Sequence, residues 1–136
     1  MSAFSRNAVY TRIVKAVKAT YSNIYYSGML EPVPASFPAL YVREIGYTTP
    51  VEYETLAVDS SQWTSTFEVQ VFSDKANDAI SEAYGIMEIV KTTFKTLGYI
   101  CDMLEPMQNV DTSVYRLIGR WHRQIGGADV MPAAST

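Results

Sequence analysis

Cysteine and histidine are almost missing from this chain: its 136 residues include one of each, Cys101 and His122. A single cysteine excludes an internal disulfide and fits a reducing compartment. A transition-metal site needs several His or Cys ligands, so neither a metal nor another cofactor is expected. Charge is sparse too. Charged residues make up 18% and the formal net charge is -3, which argues against a surface that grips nucleic acid throughout. No apolar run approaches the ~20 residues of a membrane-spanning helix. The start, "MSAFSRNAVYTRI", has no apolar stretch of the signal-peptide kind. A soluble, intracellular protein with no membrane partner is expected. No nucleophile elbow, Walker A segment or dinucleotide glycine fingerprint occurs, and the chain is not expected to be an enzyme.

What is present is a good interior. Hydrophobic residues are 48% of the chain, enough for one domain that buries roughly two-thirds of its unfolded surface. Tyrosine is unusually common, with 10 copies, and suits strands and interfaces. Residues 5–21 have helical spacing, with Val9, Ile13, Ala16 and Val17 on one face, Tyr10 and Val14 beside them, and Ser5 as N-cap. A short strand is predicted over 24–27, ended by Gly28, and the prolines at 32, 34 and 38 mark an irregular connection. Strands follow at 39–47 and 62–73; in the second, Trp63, Ser65, Phe67, Val69 and Val71 share one face. A long helix over 75–97 carries the stripe Ile80, Ala83, Tyr84, Met87, Val90, Phe94 and Leu97, and Gly98 closes it. Two more strands fill 99–108 and 114–125, and the last alternates Tyr115, Leu117, Gly119, Trp121 and Ile125 against Arg116, Ile118, Arg120 and His122.

This order predicts an α+β two-layer sandwich: one mixed, mostly antiparallel sheet of four to five strands with both helices on one face. A strand–helix–strand crossover at the long helix would bring a parallel pair. Residues 1–125 form the domain, and 126–136, "GADVMPAAST" with its preceding glycine, form a tail expected to be mobile.

The turn in "FEVQVFSDKANDA" sits where many enzymes hold a phosphate, but it has no glycine for a backbone cradle. Ser73 or Asp74 is expected to cap the helix there, with Asp78 favoured by the helix dipole. Cys101 reads as a buried small hydrophobe; a thiolate pair with His122 across adjacent strands is the competing reading. Glu52, Glu54 and Asp59 share one long arm, 48–61, which suits a solvated or partner-facing segment better than acid–base chemistry.

Two features remain. Arg116, Arg120, His122 and Arg123 lie in a strand with no acidic residue between 114 and 125, either as a solvated, edge-protecting basic face or as a patch for an acidic neighbour. The arm puts Val51, Tyr53, Leu56 and Val58 among its acids, an apolar content that fits a surface covered by assembly. Glu52, Tyr53, Glu54, Leu56 and Asp59 on one copy, facing Arg116, Arg120, His122 and Arg123 on the next, make the expected subunit interface. Reversing Arg116 and Arg120 to Glu is then expected to leave the monomer folded and to weaken assembly.

The helix "VYTRIVKAVKATYSNIYYSG", the stretch "EPVPASFPALYVREI", the segment "FEVQVFSDKANDAISEAYGIMEIVKTTFKTLGY" and the closing "MQNVDTSVYRLIGRWHRQI" together resemble the tail terminator, or tail completion, proteins of long-tailed bacteriophages and prophages. The resemblance covers residues 6–125 and rests on structural motifs. It implies a small α+β subunit of the virion that forms a ring, commonly a hexamer, at the tail–head junction after assembly in the host cytoplasm. The ring ends polymerisation of the major tail tube protein and offers a surface to the head–tail connector. Genome DNA passes through it without specific binding. Neck or head-closure proteins of the same virions are the alternative; a small cysteine-dependent enzyme and a nucleic-acid-binding module stand behind both.

Overall fold

The structure is a computed structural model that describes residues 4–29, 34–48, 63–108, 112–126 and 129–132. Helix α1 (Arg6–Lys18) opens on Ser5, whose Oγ accepts the Ala8 N–H at 3.1 Å and satisfies one of the helix's free donors. Its apolar spacing buries Val9, Ile13, Val14 and Val17. Strand β1 (Tyr25–Ser27) pairs parallel with β2 (Ala39–Thr48), which runs antiparallel to β3 (Trp63–Ser73). Helix α2 (Ala79–Thr96) leads to β4 (Ile100–Met107), and β5 (Tyr115–Ile125) completes the sheet in the order β1-β2-β3-β5-β4.

The fold is α+β, with both helices packed on one face of a five-stranded mixed sheet. Its parallel pair is not at the long helix. β3 and β4 point the same way, but β5 lies between them and pairs antiparallel with each. The only parallel neighbours among the described strands are β1 and β2, joined through the proline-rich connection.

Period-two alternation sorts the residues. Leu40, Val42, Phe67, Val69, Val71, Leu117, Trp121 and Ile125 meet the apolar stripes of α1 and α2 in one core. Phe94 stacks on Trp121 with ring centroids 4.8 Å apart. Such a ring pair is worth about 0.5–1.5 kcal/mol beyond the area it buries. Trp121 also lies against Gly119, where any Cβ would stand 2.5 Å from the indole. Helix α2 ends as expected: Gly98 takes φ +82, its N–H reaches Lys95 O at 3.0 Å, and the Tyr99 N–H reaches Phe94 O at 2.9 Å. That bond pattern is a Schellman turn, and the Tyr99 and Phe94 rings in contact at 5.0 Å supply its apolar closure.

Three details differ from the sequence reading. Helix α2 starts at Ala79, because Asn77 adopts a left-handed φ of 61 and interrupts the run. Its N-cap is Asp78, with no side-chain cap bond, while Ser73 Oγ donates to Glu82 at 2.7 Å and accepts from the Lys75 N–H at 3.3 Å. Neither Ser73 nor Asp74 caps the helix. Second, Ile80 and Tyr84 are exposed, although they continue the apolar stripe. They stand where β3 has ended at Ser73 and β5 is just beginning, so little sheet lies beneath them. Third, within the segment expected to be mobile, Met131 packs into the core and Asp129 accepts the Gly126 N–H at 2.8 Å.

Candidate assembly surface

The face of the sheet opposite the two described helices holds a polar lattice organised by one carboxylate. Register places Arg43 of β2, Glu68 of β3 and Arg120 of β5 directly abreast. Glu68 is only 3% exposed, and both neighbours bond it: Arg43 Nη2 donates to Oε1 at 2.9 Å, and Arg120 donates to Oε2 from Nε and Nη2, both at 3.0 Å. Gln70, two residues along the same face, donates its amide to Glu68 Oε1 at 2.9 Å. The Gln70 carbonyl accepts from Arg116 Nε and Nη2 at 2.9 and 2.6 Å, and Arg116 lies over the Phe72 ring at 5.0 Å.

Two guanidiniums thus share one carboxylate, and a third reaches it through Gln70. Arg43 and Arg120 remain 42% and 45% exposed, so their charge still reaches solvent while the glutamate beneath is covered. Burial pushes the Glu68 carboxyl upward, but the hydrogen bonds from Gln70, Arg43 and Arg120, with the charge of Arg43, outweigh it and hold the group below the usual range. At neutral pH Glu68 is ionised, and three arginines outnumber it in the lattice.

Toward the β1 side the same face turns aromatic. Tyr41 and Phe72 meet edge-on at 5.5 Å and pack with Ala39, Val114, Tyr25 and Phe37. Toward the other side lies β4, an edge strand with Ile100 and Met107 exposed. A bulge sits between Cys101 and Met103. Its extra residue, Asp102, meets His122 Nδ1 with both carboxylate oxygens, at 2.7 and 2.8 Å. A bulge and an inserted charge both discourage an edge from pairing with stray strands.

Arg116, Arg120 and His122 therefore occupy the face that their alternation indicated. Arg123 does not. It stands on the helix side, opposite Ser65, where its Nη1 donates to Leu97 O at 2.6 Å, its Nη2 pairs with Asp129 at 3.1 Å, and its guanidinium covers the Phe4 ring at 4.1 Å. Arg123 closes the C-terminal end of α2 and docks the segment after β5; odd–even parity alone separates it from the other two arginines.

Cys101 is exposed, not buried, and it lies on the edge strand β4. It opposes Trp121, while Ile100 opposes His122; the thiol bonds Met103 O at 3.5 Å and the imidazole bonds Asp102. The structure does not join the two as a nucleophile pair. Glu52, Tyr53, Glu54, Leu56 and Asp59 lie outside the described residues. Sequence reading missed Arg43, Glu68 and Gln70. Glu68 and Gln70 were visible as the outward members of "FEVQV", but only strand register reveals that arginines flank them.

Among the described residues no helix is long and apolar enough to cross a membrane, and no cluster of His, Cys, Asp and Glu has metal-binding geometry. No protein-family model matches the chain, and no curated protein matches it either.

Proposed function

We propose that this protein is a structural ring subunit that caps the tail tube of a long-tailed bacteriophage, stops tube growth and offers a surface for head attachment. The observation that carries this reading is the arginine lattice on the face opposite the two described helices, taken with the acidic composition of 48–61. From Glu44 to Asp74 the sequence contains no lysine or arginine, and Glu52, Glu54 and Asp59 fall within that stretch. One chain therefore carries a basic lattice and, in its sequence, an acidic segment of opposite charge, two non-identical candidates for a mutual contact. A head-to-tail contact between different patches generates a closed ring when the rotation per subunit closes, which a self-complementary patch does not do.

The resemblance over residues 6–125 supplies the particular ring, and the small α+β fold is compatible with it. The mild negative charge of the whole chain suits a channel through which DNA moves without being held. Mass measurement in solution, with the protein alone and with purified tail tube protein, tests the proposal. A ring of identical copies is expected in at least one condition. A monomer in both, at the highest attainable concentration, contradicts it.

A further inference from the structure

On the helix side of the sheet, at the end away from Ser73, lies a half-enclosed cleft of about 310 Å³, near the lower end of ligand-site volumes. Phe4, Trp63 and Ile125 supply apolar walls, Glu44, Ser65 and Tyr99 supply polar atoms, and Ser5 and Arg6 complete the lining. Glu44 reaches this side because it is paired with Phe67, and the register shift that follows, before Gly46, breaks the strand's alternation beside it.

The polar atoms form a directed relay. Tyr99 Oη donates to Ser65 Oγ at 3.1 Å, and Ser65 Oγ donates to Glu44 Oε2 at 2.8 Å. Ser65 and Tyr99 are 1% and 5% exposed, so the relay is fixed from below. Burial pushes the Tyr99 hydroxyl's pKa up against the effect of the Ser65 bond, and the Glu44 charge adds to the rise, so this donor stays protonated. Ser65 is the single hydrogen-bond partner of Glu44 among the described residues, and no described cation pairs with it. A carboxylate accepts about four hydrogen bonds. Neither arginine close to the carboxylate pairs with it: Arg6, which lines the cleft, bonds Asn7 at 3.0 Å and covers Tyr10, and Arg123 bonds Leu97 O and Asp129.

We propose that this cleft is a cation-binding pocket for a primary ammonium or guanidinium on a short apolar stem, either a free amine or the end of a lysine or arginine side chain. The head group pairs with the oriented Glu44 carboxylate, the stem lies along Phe4 and Ile125, and the indole of Trp63 favours the positive charge. Apolar walls strengthen the pairing relative to water. An anion would meet the Glu44 charge. The proposal does not depend on the ring reading.

Titration with n-butylammonium, n-butanol and a doubly blocked lysine, followed by the Trp63 indole N–H resonance, tests it. The Trp121 resonance serves as the internal control for the fold. Saturable shifts at Trp63 are expected for n-butylammonium or blocked lysine, weakened roughly tenfold or more in Glu44→Gln, which keeps the Ser65 bond and removes the charge. Blocked lysine binding at least as well as the free amine assigns the pocket to protein side chains; preference for the free amine assigns it to small amines. Equal response to n-butanol, or unchanged binding in Glu44→Gln with Trp121 unmoved, overturns the proposal.

Discussion

Glu68 and Arg120, 52 residues apart in sequence, face each other across β3 and β5 with a 3.0 Å ion pair, and the carboxylate is 3% exposed on the side of the sheet opposite α1 and α2. A buried carboxylate on such a face constrains every substitution around it. Arg120→Glu would set a second carboxylate against Glu68, leaving the buried charge with Arg43 and Gln70 alone. Removing one partner of a buried pair typically costs 3–5 kcal/mol. With Arg43 remaining and Arg120 half-exposed, about 2–4 kcal/mol is expected here, read as a lower urea midpoint. The double reversal of Arg116 and Arg120, which the sequence alone suggests the monomer tolerates, should therefore weaken the fold as well as any assembly.

Arg43→Gln is the cleaner probe of assembly. Gln keeps a hydrogen-bond donor beside Glu68 and adds no second carboxylate, so the stability cost should be smaller than for Arg120→Glu, about 1–2 kcal/mol. If the lattice receives an acidic neighbour, association measured by sedimentation should weaken, and added salt should weaken the wild type in the same direction. Unchanged association in both tests would remove the lattice from the interface.

Acid should act through Glu68. Its folded pKa lies below the ordinary value of 4.5, so the unfolded chain takes up the proton first as pH falls. The stability it contributes is present above that ordinary value and is lost as pH drops through the depressed folded value. Glu68→Gln should flatten this part of the stability–pH curve. A curve of unchanged slope below pH 4.5 would show that other carboxyls dominate.

Gly119→Ala tests the closest packing in the core. The new Cβ would meet the Trp121 indole, which is held between that glycine and Phe94. Overpacking of this kind costs about 1–3 kcal/mol. The near-ultraviolet circular dichroism of Trp121 should change with it. A variant as stable as the wild type would mean that the indole shifts freely.

Much of the fold was legible because its signals are local. Strict alternation marked β3 and β5, helical spacing marked Val9 to Val17 and Ala83 to Leu97, Ser5 capped α1, and Gly98 ended α2. What the sequence hid depends on pairing. Nothing local says that β5 inserts between β3 and β4, or that Glu68 lies abreast of both Arg43 and Arg120. The same gap grouped Arg123 with Arg116 and Arg120, since adjacency in sequence outweighed the parity that sends alternate residues to opposite faces. Cys101 looked buried from its apolar neighbours Ile100 and Met103, yet it is exposed on the edge strand β4.

Capping of a tube end would be read out by tail length. In a phage or prophage lacking this gene, electron microscopy of lysates should show headless tails longer than the normal, uniform length. Tails of normal length that merely fail to join heads would contradict capping of the tube and point to a connector instead.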